Sequence, residues 1–117
     1  MILEKTFNHT LDLSLNEYSQ GESIVMNIDD KNIYKLVLNL LNEGTPLNTT
    51  GLILSFITGV DTLTHVVVDP TGGQVSLEFN DLSSYNSNEV RSVLLKVVNG
   101  SKERFYKGFK MSFSKLP

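Results

Sequence analysis

Apolar and polar residues alternate with a period of two along three segments of the chain. One set of alternate positions near the carboxyl terminus is Phe105, Lys107, Phe109, Met111 and Phe113. Two further sets are Val75, Leu77 and Phe79, and Leu11, Leu13 and Leu15. A period of two is typical of strands with one buried and one solvated face. The three segments therefore predict antiparallel β-sheet with one wet face.

Three other runs are apolar on both faces: residues 33–41, 52–57 and 93–98. Periodicity alone does not separate a buried strand from a buried helix, so length and flanking residues must decide. Each run is short, rich in Val, Ile and Leu, and bounded by residues that form turns. We therefore predict that these runs are strands at the centre of a sheet.

Turn-forming residues separate the predicted strands. The strongest turn signals lie at residues 44–46, 48–51, 69–73 and 99–100, the last being the Asn-Gly pair of a tight hairpin. Residues 81–89 are polar, and Asn86 followed by Glu89 predicts a single helical turn between two sheets. The predicted fold is an all-β antiparallel sandwich of about seven or eight strands. Residues 1–117 suit one such domain.

Charges are distributed unevenly. The formal net charge is −3, yet residues 1–90 carry three basic and twelve acidic side chains, whereas residues 91–117 carry seven basic and one acidic. Clustered Lys and Arg are the residues that bind nucleic-acid phosphates. Because the whole chain is acidic and has only two Arg, we instead expect basic strands beside acidic ones and no nucleic-acid partner. The basic residues are Arg91, Lys96, Lys102, Arg104, Lys107, Lys110 and Lys115.

The sequence offers little catalytic or metal-binding chemistry. It has no cysteine, and no phosphate-binding loop, dinucleotide fingerprint or nucleophile elbow occurs. His9 and His65 lack a second ligand at zinc-site spacing, so we expect structural or solvent-facing histidines. Asp29, Asp30, Asp61 and Asp69 are the candidate calcium ligands, but their spacing favours solvated turns. We expect no enzyme activity, no catalytic or metal-binding residue and no cofactor.

No apolar run approaches the ~20 residues that a membrane-spanning helix needs, and we expect no membrane partner. Two tyrosines lie in polar loops, Tyr18 and Tyr85, and could face a ligand. Exposed aromatic rings stack on sugars, although such tyrosines more often anchor a loop through a hydroxyl hydrogen bond. These residues leave open a second class of function, a carbohydrate-binding β-sandwich that recognises a cell surface.

Several turn and strand patterns together resemble one known family. They are Leu11-Asp12-Leu13-Ser14 and the segments 28–36, 42–51, 73–79 and 109–113. In this order the patterns resemble the immunoglobulin-like N-terminal domain of the baseplate upper proteins of tailed bacteriophages. The resemblance covers essentially the whole chain. Members of that family continue into a long helical or fibrous C-terminal part, so we expect either a stand-alone version of the domain or one piece of it.

The resemblance implies an immunoglobulin-like sandwich in a structural protein of the phage particle, synthesised in the bacterial cytoplasm. It implies an assembly or attachment module of the baseplate, a tail fibre or a head fibre, with other virion proteins as partners. It also implies a homo-oligomer around a symmetry axis, for example a trimer. We expect Phe7, Leu11, Leu13 and Leu15 to contact a neighbouring subunit; the alternative is that these side chains complete the core.

Overall fold

The computed structural model describes residues 4–115, which form two β-sheets packed face to face. The strands are β1 (Lys5–Asp12), β2 (Gln20–Gly21), β3 (Val25–Asn27), β4 (Lys31–Asn42), β5 (Thr45–Pro46), β6 (Ile53–Thr58), β7 (Asp61–Leu63), β8 (His65–Asp69), β9 (Gln74–Asp81), β10 (Val90–Asn99) and β11 (Lys102–Ser114). Sheet A has the order β2-β1-β4-β9-β8, and β5 also pairs with β4. Sheet B has the order β3-β11-β10-β6-β7.

The predicted all-β sandwich is confirmed. Seven of the strands have five residues or more, and β2, β3, β5 and β7 are only two or three residues long. The three runs that are apolar on both faces became β4, β6 and β10, and each of these strands has a paired neighbour on both sides. Their position at the centre of a sheet is the position that the sequence predicted.

The antiparallel prediction is wrong for two strand pairs. β1 runs parallel to β4, and β3 runs parallel to β11. The amino-terminal segment first contributes β1 to sheet A and then crosses to add β3 to an edge of sheet B. Parallel strands require such a crossover, which places each pair far apart in sequence. Local alternation carries no signal for pairing over that range.

A β-bulge at Gly108 changes which side chains of β11 face the core. Phe109 pairs with Val93, whereas Lys107 pairs with Leu94, so Gly108 is the extra residue. A bulge of this kind inverts the alternation on one side of it. Phe109 is fully buried, but Phe105 is 56% exposed. The buried apolar face of β11 therefore begins at Phe109. Before the bulge the alternate positions Phe105 and Lys107 lie on the outer face, so Lys107 does not interrupt a buried face.

The predicted strand through Leu15 also ends early. β1 ends at Asp12, and residues Leu13–Leu15 form a single 3-10 turn. The Asp12 carboxylate accepts hydrogen bonds from the Ser14 backbone at 3.0 Å and from the Ser14 hydroxyl at 2.6 Å. Side chains of this type often bond to the backbone two residues on and so compete with sheet pairing. Leu13 remains buried, and Leu15 turns out to 60% exposure.

Two loops were predicted from local turn residues, and the structure confirms one prediction and changes the other. Asn99 pairs with Lys102 around a two-residue loop in which Gly100 has a φ of 63°, so the predicted hairpin is confirmed. Residues 82–89 cross from sheet A to sheet B through two successive hydrogen-bonded turns, with no helix. The backbone NH of Asn86 donates to the Glu89 carboxylate at 2.9 Å. In place of the predicted helical turn the chain forms two tight turns, and Asn86 and Glu89 hold the second of them.

A single cluster of buried side chains fills the space between the sheets. Its members are Phe7, Leu11, Leu13, Ile24, Met26, Leu36, Leu38, Leu40, Leu54, Phe56, Val75, Leu77, Phe79, Leu82, Val93, Leu95, Phe109, Met111 and Phe113. Every long strand of sheets A and B except β8 contributes to it. In residues 4–115 no helix is long and apolar enough to cross a membrane.

Candidate interaction surface

The outer face of sheet A is polar across its three central rows. Cross-strand partners on this face form the rows Thr6–Lys35–Glu78, Asn8–Val37–Ser76 and Thr10–Asn39–Gln74. The Gln74 side-chain amide donates to the Asn39 side-chain oxygen at 3.2 Å. Eight of these nine side chains can hydrogen-bond with water or with one another, which is the composition expected of a solvated sheet face.

The outer face of sheet B has a different composition. Its rows are Ile57–Leu94–Lys107, Ser55–Lys96–Phe105 and Ile53–Val98–Glu103. Five of these nine side chains are apolar, and Ile53, Leu94 and Phe105 are 64%, 38% and 56% exposed. Exposed apolar side chains that collect on one face of a sheet mark a candidate protein interaction site.

Lys96 lies at the centre of this face. Its ammonium nitrogen is 3.5 Å from the Glu103 carboxylate and 5.8 Å from the centroid of the Phe105 ring. The side chains of Lys96 and Glu103 are 28% and 56% exposed, so water screens the ion pair and it contributes little to folding stability. The outer face of sheet B therefore presents apolar side chains around the Lys96 ammonium, whose ion-pair partner Glu103 is itself partly exposed.

The expected interleaving of basic and acidic strands is wrong. β10 and β11 pair with each other and with β6 and β3, and neither β6 nor β3 contains a carboxylate. The strands of sheet B hold six basic and two acidic residues, whereas those of sheet A hold three basic and four acidic. The charge asymmetry along the sequence thus becomes an asymmetry between the two sheets. The reason is that the basic residues fall in one hairpin, whose strands lie side by side.

Sheet A ends in a cluster that we call the acidic tip, residues 12–17 with Glu43. The Asp12 carboxylate accepts hydrogen bonds from the backbone NH groups of Glu43 at 3.1 Å and Gly44 at 2.8 Å, so it joins the two turns. The Ser14 hydroxyl, aided by the backbone NH groups of Gly44, Ser14 and Glu43, holds the pKa of Asp12 below its usual value. Leu15 and the side chains of Glu17 and Glu43 are exposed around it.

Of the four residues predicted to contact a neighbouring subunit, the structure buries three and exposes one. Phe7, Leu11 and Leu13 are 2%, 1% and 8% exposed and belong to the core. Leu13 also lines a pocket of about 370 Å³ at the end of the sandwich, beside Leu47. Leu15 alone is exposed, in the acidic tip. Contact with a neighbour stays a prediction for the set, and in the isolated chain only Leu15 presents its side chain to solvent.

The two tyrosines considered as ligand-facing differ in their surroundings. Tyr85 stacks on Phe113 with ring centroids 4.2 Å apart and an 8° angle between the ring planes. The Arg91 guanidinium lies 5.4 Å from the Tyr85 centroid, and burial raises the pKa of the Tyr85 hydroxyl above its usual value. Tyr18 is half-buried, with the ammonium of Lys110 4.8 Å from its ring centroid. Tyr85 packs against the core and anchors a loop, whereas Tyr18 is not among the side chains packed against the core.

The histidines have structural surroundings. His9 is 6% exposed, and its ring nitrogens lie within hydrogen-bond distance of the Ser19 hydroxyl, at 2.7 Å, and of the Glu22 carbonyl. His65 packs edge-on against Phe56 with ring centroids 5.3 Å apart, and burial lowers its pKa below the usual value. Among residues 4–115 no group of three or more His, Asp or Glu side chains is placed to hold a metal ion.

Sequence reasoning did not find the outer face of sheet B, although its signal was present. Ile53, Leu94 and Val98 are the second apolar set of two runs that are apolar on both faces and were predicted to be central strands. The strands do lie at the centre of a sheet, but Ile53 and Leu94 on that second face remain exposed to solvent. An apolar run on both faces in a two-layer sandwich predicts a surface that a partner can cover.

Comparison with known proteins establishes the fold. No family model matches the chain, and no curated protein matches it either. Among solved structures, the chain is similar to the N-terminal domain of phage TP901-1 ORF48, with a TM-score of 0.71 and 17% sequence identity. The match covers 94% of this chain and 98% of that domain. Residues 4–115 therefore form a β-sandwich that shares its fold with a phage protein domain.

Proposed function

We propose that this chain is a non-enzymatic structural module of a tailed-phage particle, which assembles with copies of itself and with other virion proteins. The observation that carries the proposal is the uncovered apolar outer face of sheet B, in a sandwich whose fold is that of a phage protein domain. An assembly module needs such a face, because burial of apolar surface is the main driving force for association.

Within the particle, we propose a place in the baseplate, with a tail fibre or a head fibre as the other locations. The support is the order of turn and strand patterns from Leu11 to Phe113, which resembles the N-terminal domain of baseplate upper proteins. The fold match over 94% of the chain is compatible with that resemblance. Three of the four edge strands, β2, β3 and β7, are only two or three residues long and so discourage uncontrolled strand pairing, which suits a module that assembles through its faces; the fourth, β8, has five residues.

The proposal is tested on purified phage particles from the source of this sequence. We expect peptides of this chain in their mass spectrum, and antibodies against it should place gold at one position under the electron microscope. Labelling at the tail tip would support the baseplate, and labelling of a fibre or the head would move the location. Peptide detection does not depend on exposed epitopes, so particles without such peptides would contradict a virion role.

The competing function is recognition of host-surface carbohydrate through Tyr18 or Tyr85. The geometry favours assembly, because Phe113 and Arg91 lie against the Tyr85 ring. A glycan-binding measurement with wild type, Tyr18→Ala and Tyr85→Phe separates the two functions. An assembly module shows no glycan binding in any of them, whereas binding that Tyr18→Ala abolishes would favour the carbohydrate module.

A further inference from the structure

The outer face of sheet B sets conditions on what can cover it. Its exposed apolar side chains favour an apolar partner, and the ammonium groups of Lys96 and Lys107 favour a partner with carboxylates. Face-to-face packing of two such sheets would bring four lysines together with only two carboxylates, the Glu103 of each copy, and like charges brought together at an interface are costly. A different surface that combines apolar groups with more carboxylates is the better complement.

The acidic tip is a surface of that kind on the same chain. Leu15 is 60% exposed there, and Glu17 and Glu43 are exposed beside it. The hydrogen bonds of the Asp12 carboxylate to the backbone of Ser14, Glu43 and Gly44 fix the two turns relative to each other. This preorganisation matters, because ordering a loop on binding would weaken the association.

We propose that copies of this chain associate head to tail, with the acidic tip of one copy docked on the outer face of sheet B of the next. Leu15 packs among Ile53, Leu94 and Phe105 of the neighbouring copy. Glu17 and Glu43 lie against Lys96 and Lys107, so the contact weakens as salt screens the charges. The inference rests on the proposed assembly function and specifies the two surfaces that perform it.

Such a contact joins two different surfaces of identical chains. It therefore closes into a ring or propagates as an open chain, and every copy keeps one donor and one acceptor surface. This property can be tested by mixing two variants, one altered in the acidic tip and one altered in the outer face of sheet B. The mixture restores one contact only if the interface joins these two different surfaces. The tip variant is Leu15→Ser with Glu17→Lys, and the face variant is Phe105→Ser with Lys107→Glu; all four positions are exposed.

The full chain is studied by sedimentation velocity over a range of concentrations. Wild type is expected to form oligomers, and each variant alone to associate at least about tenfold more weakly. An equimolar mixture of the variants is expected to form dimers and nothing larger, because the intact tip of one meets the intact face of the other. Lys35→Glu, the same charge change on the outer face of sheet A, is the control and should associate as wild type does.

Circular dichroism and thermal unfolding of each variant establish that it is folded. A wild type that stays monomeric at all concentrations, or a variant mixture without dimers, would overturn the inference. Chain peptides in phage particles together with a monomeric mixture would remove the head-to-tail contact and leave the proposed function standing. Dimers in the mixture with no chain peptides in the particles would do the reverse.

Discussion

In the three central rows of the outer face of sheet A, eight of nine side chains are polar, whereas in the three rows of sheet B five of nine are apolar. Sheet A adds one exposed valine at its edge, because Val66 of β8 extends the row of Val37 and Ser76. Both sheets have similar inner faces, because both contribute to one core. Burial inside the chain therefore does not explain the difference between the outer faces. A solvated sheet face has no need of Ile53, Leu94 and Phe105, so their exposure supports the proposed docking of a partner on this face.

The comparison also assigns a role to charge. The basic residues of the carboxyl-terminal hairpin lie in the sheet with the apolar outer face, and the acidic tip belongs to the other sheet. A partner that combines apolar and acidic surface can satisfy both properties of sheet B. This difference in charge between the two sheets supports the proposed head-to-tail contact.

The largest expected effect distinguishes the two phenylalanines of β11. Phe109→Ala should lower the free energy of unfolding by about 3–5 kcal/mol, because the side chain is fully buried. Phe105→Ala should change it by less than about 1 kcal/mol, since Phe105 is on the outer face and 56% exposed. Urea unfolding at low protein concentration measures both. Similar losses for the two variants would place Phe105 in the core and remove it from the outer face.

A smaller loss of folding stability is expected from Gly108→Ala. This variant tests whether the bulge at Gly108 places Phe105 and Lys107 on the outer face of sheet B. A Cβ atom at this position would lie 2.6 Å from the Val93 carbonyl oxygen, so the bulge must open or shift. We expect a loss of about 1–3 kcal/mol in the free energy of unfolding. Faster amide hydrogen exchange at Val93 and Leu95 should accompany it.

Ser92→Ala serves as the matched control for Gly108→Ala, because Ser92 is an exposed residue of the neighbouring strand β10. Its unfolding free energy should stay within about 0.5 kcal/mol of wild type. If Gly108→Ala were as mild as this control, the bulge would not hold Phe105 and Lys107 on the outer face.

A pH-dependent effect is expected at the acidic tip. The folded-state pKa of Asp12 is lowered, chiefly by the Ser14 hydroxyl, so its carboxylate stabilises the fold above the unfolded pKa. This contribution is lost as the pH falls from about 4 through the folded pKa. Asp12→Asn should therefore be less stable than wild type at neutral pH, and the two unfolding curves should converge in acid. Urea midpoints from neutral pH to strong acid measure the difference.

Asp81 and Glu89 also have lowered pKa values, but their contributions are common to wild type and Asp12→Asn and cancel in the difference. A difference between the curves that stays constant down to strong acid would show that Asp12 acts without its charge. The acidic tip would then be held by geometry alone.

How far the sequence could predict these features depends on the range of the interactions. Alternation and apolar runs identified β4, β6, β9 and β10. Their burial produces a local order of apolar and polar residues that can be recognised within a few positions. The parallel pairing of β1 with β4 depends on residues that are distant in the chain, and no local pattern encodes it. The bulge did have a local signal, a lone glycine inside a strand pattern.

The candidate surface was predicted least well, for a physical reason. Leu15 follows Leu11 and Leu13 in perfect alternation, and only the bonds from Ser14 to the Asp12 carboxylate turn it outward. The runs that contain Ile53 and Leu94 were correctly predicted to be central strands, but their pattern gave no prediction of what covers the second face. Both cases have one origin: the pattern reports which residues avoid water, and it does not say whether the same chain or a partner covers them.

The smallest effect on stability addresses the outer faces directly. Ile53→Thr and Val37→Thr make the same kind of change on the outer faces of sheets B and A, and each should alter the free energy of unfolding by no more than about 0.5 kcal/mol. They should differ in the binding of an apolar fluorescent dye to the folded protein. Ile53 is 64% exposed within an apolar surface, so its loss should lower dye fluorescence. Val37 is the one apolar side chain in the three central rows of sheet A and is only partly exposed, so its loss should change dye fluorescence less. Equal decreases would mean that both outer faces offer the dye the same apolar surface, and the case for sheet B as the docking face would lose its basis.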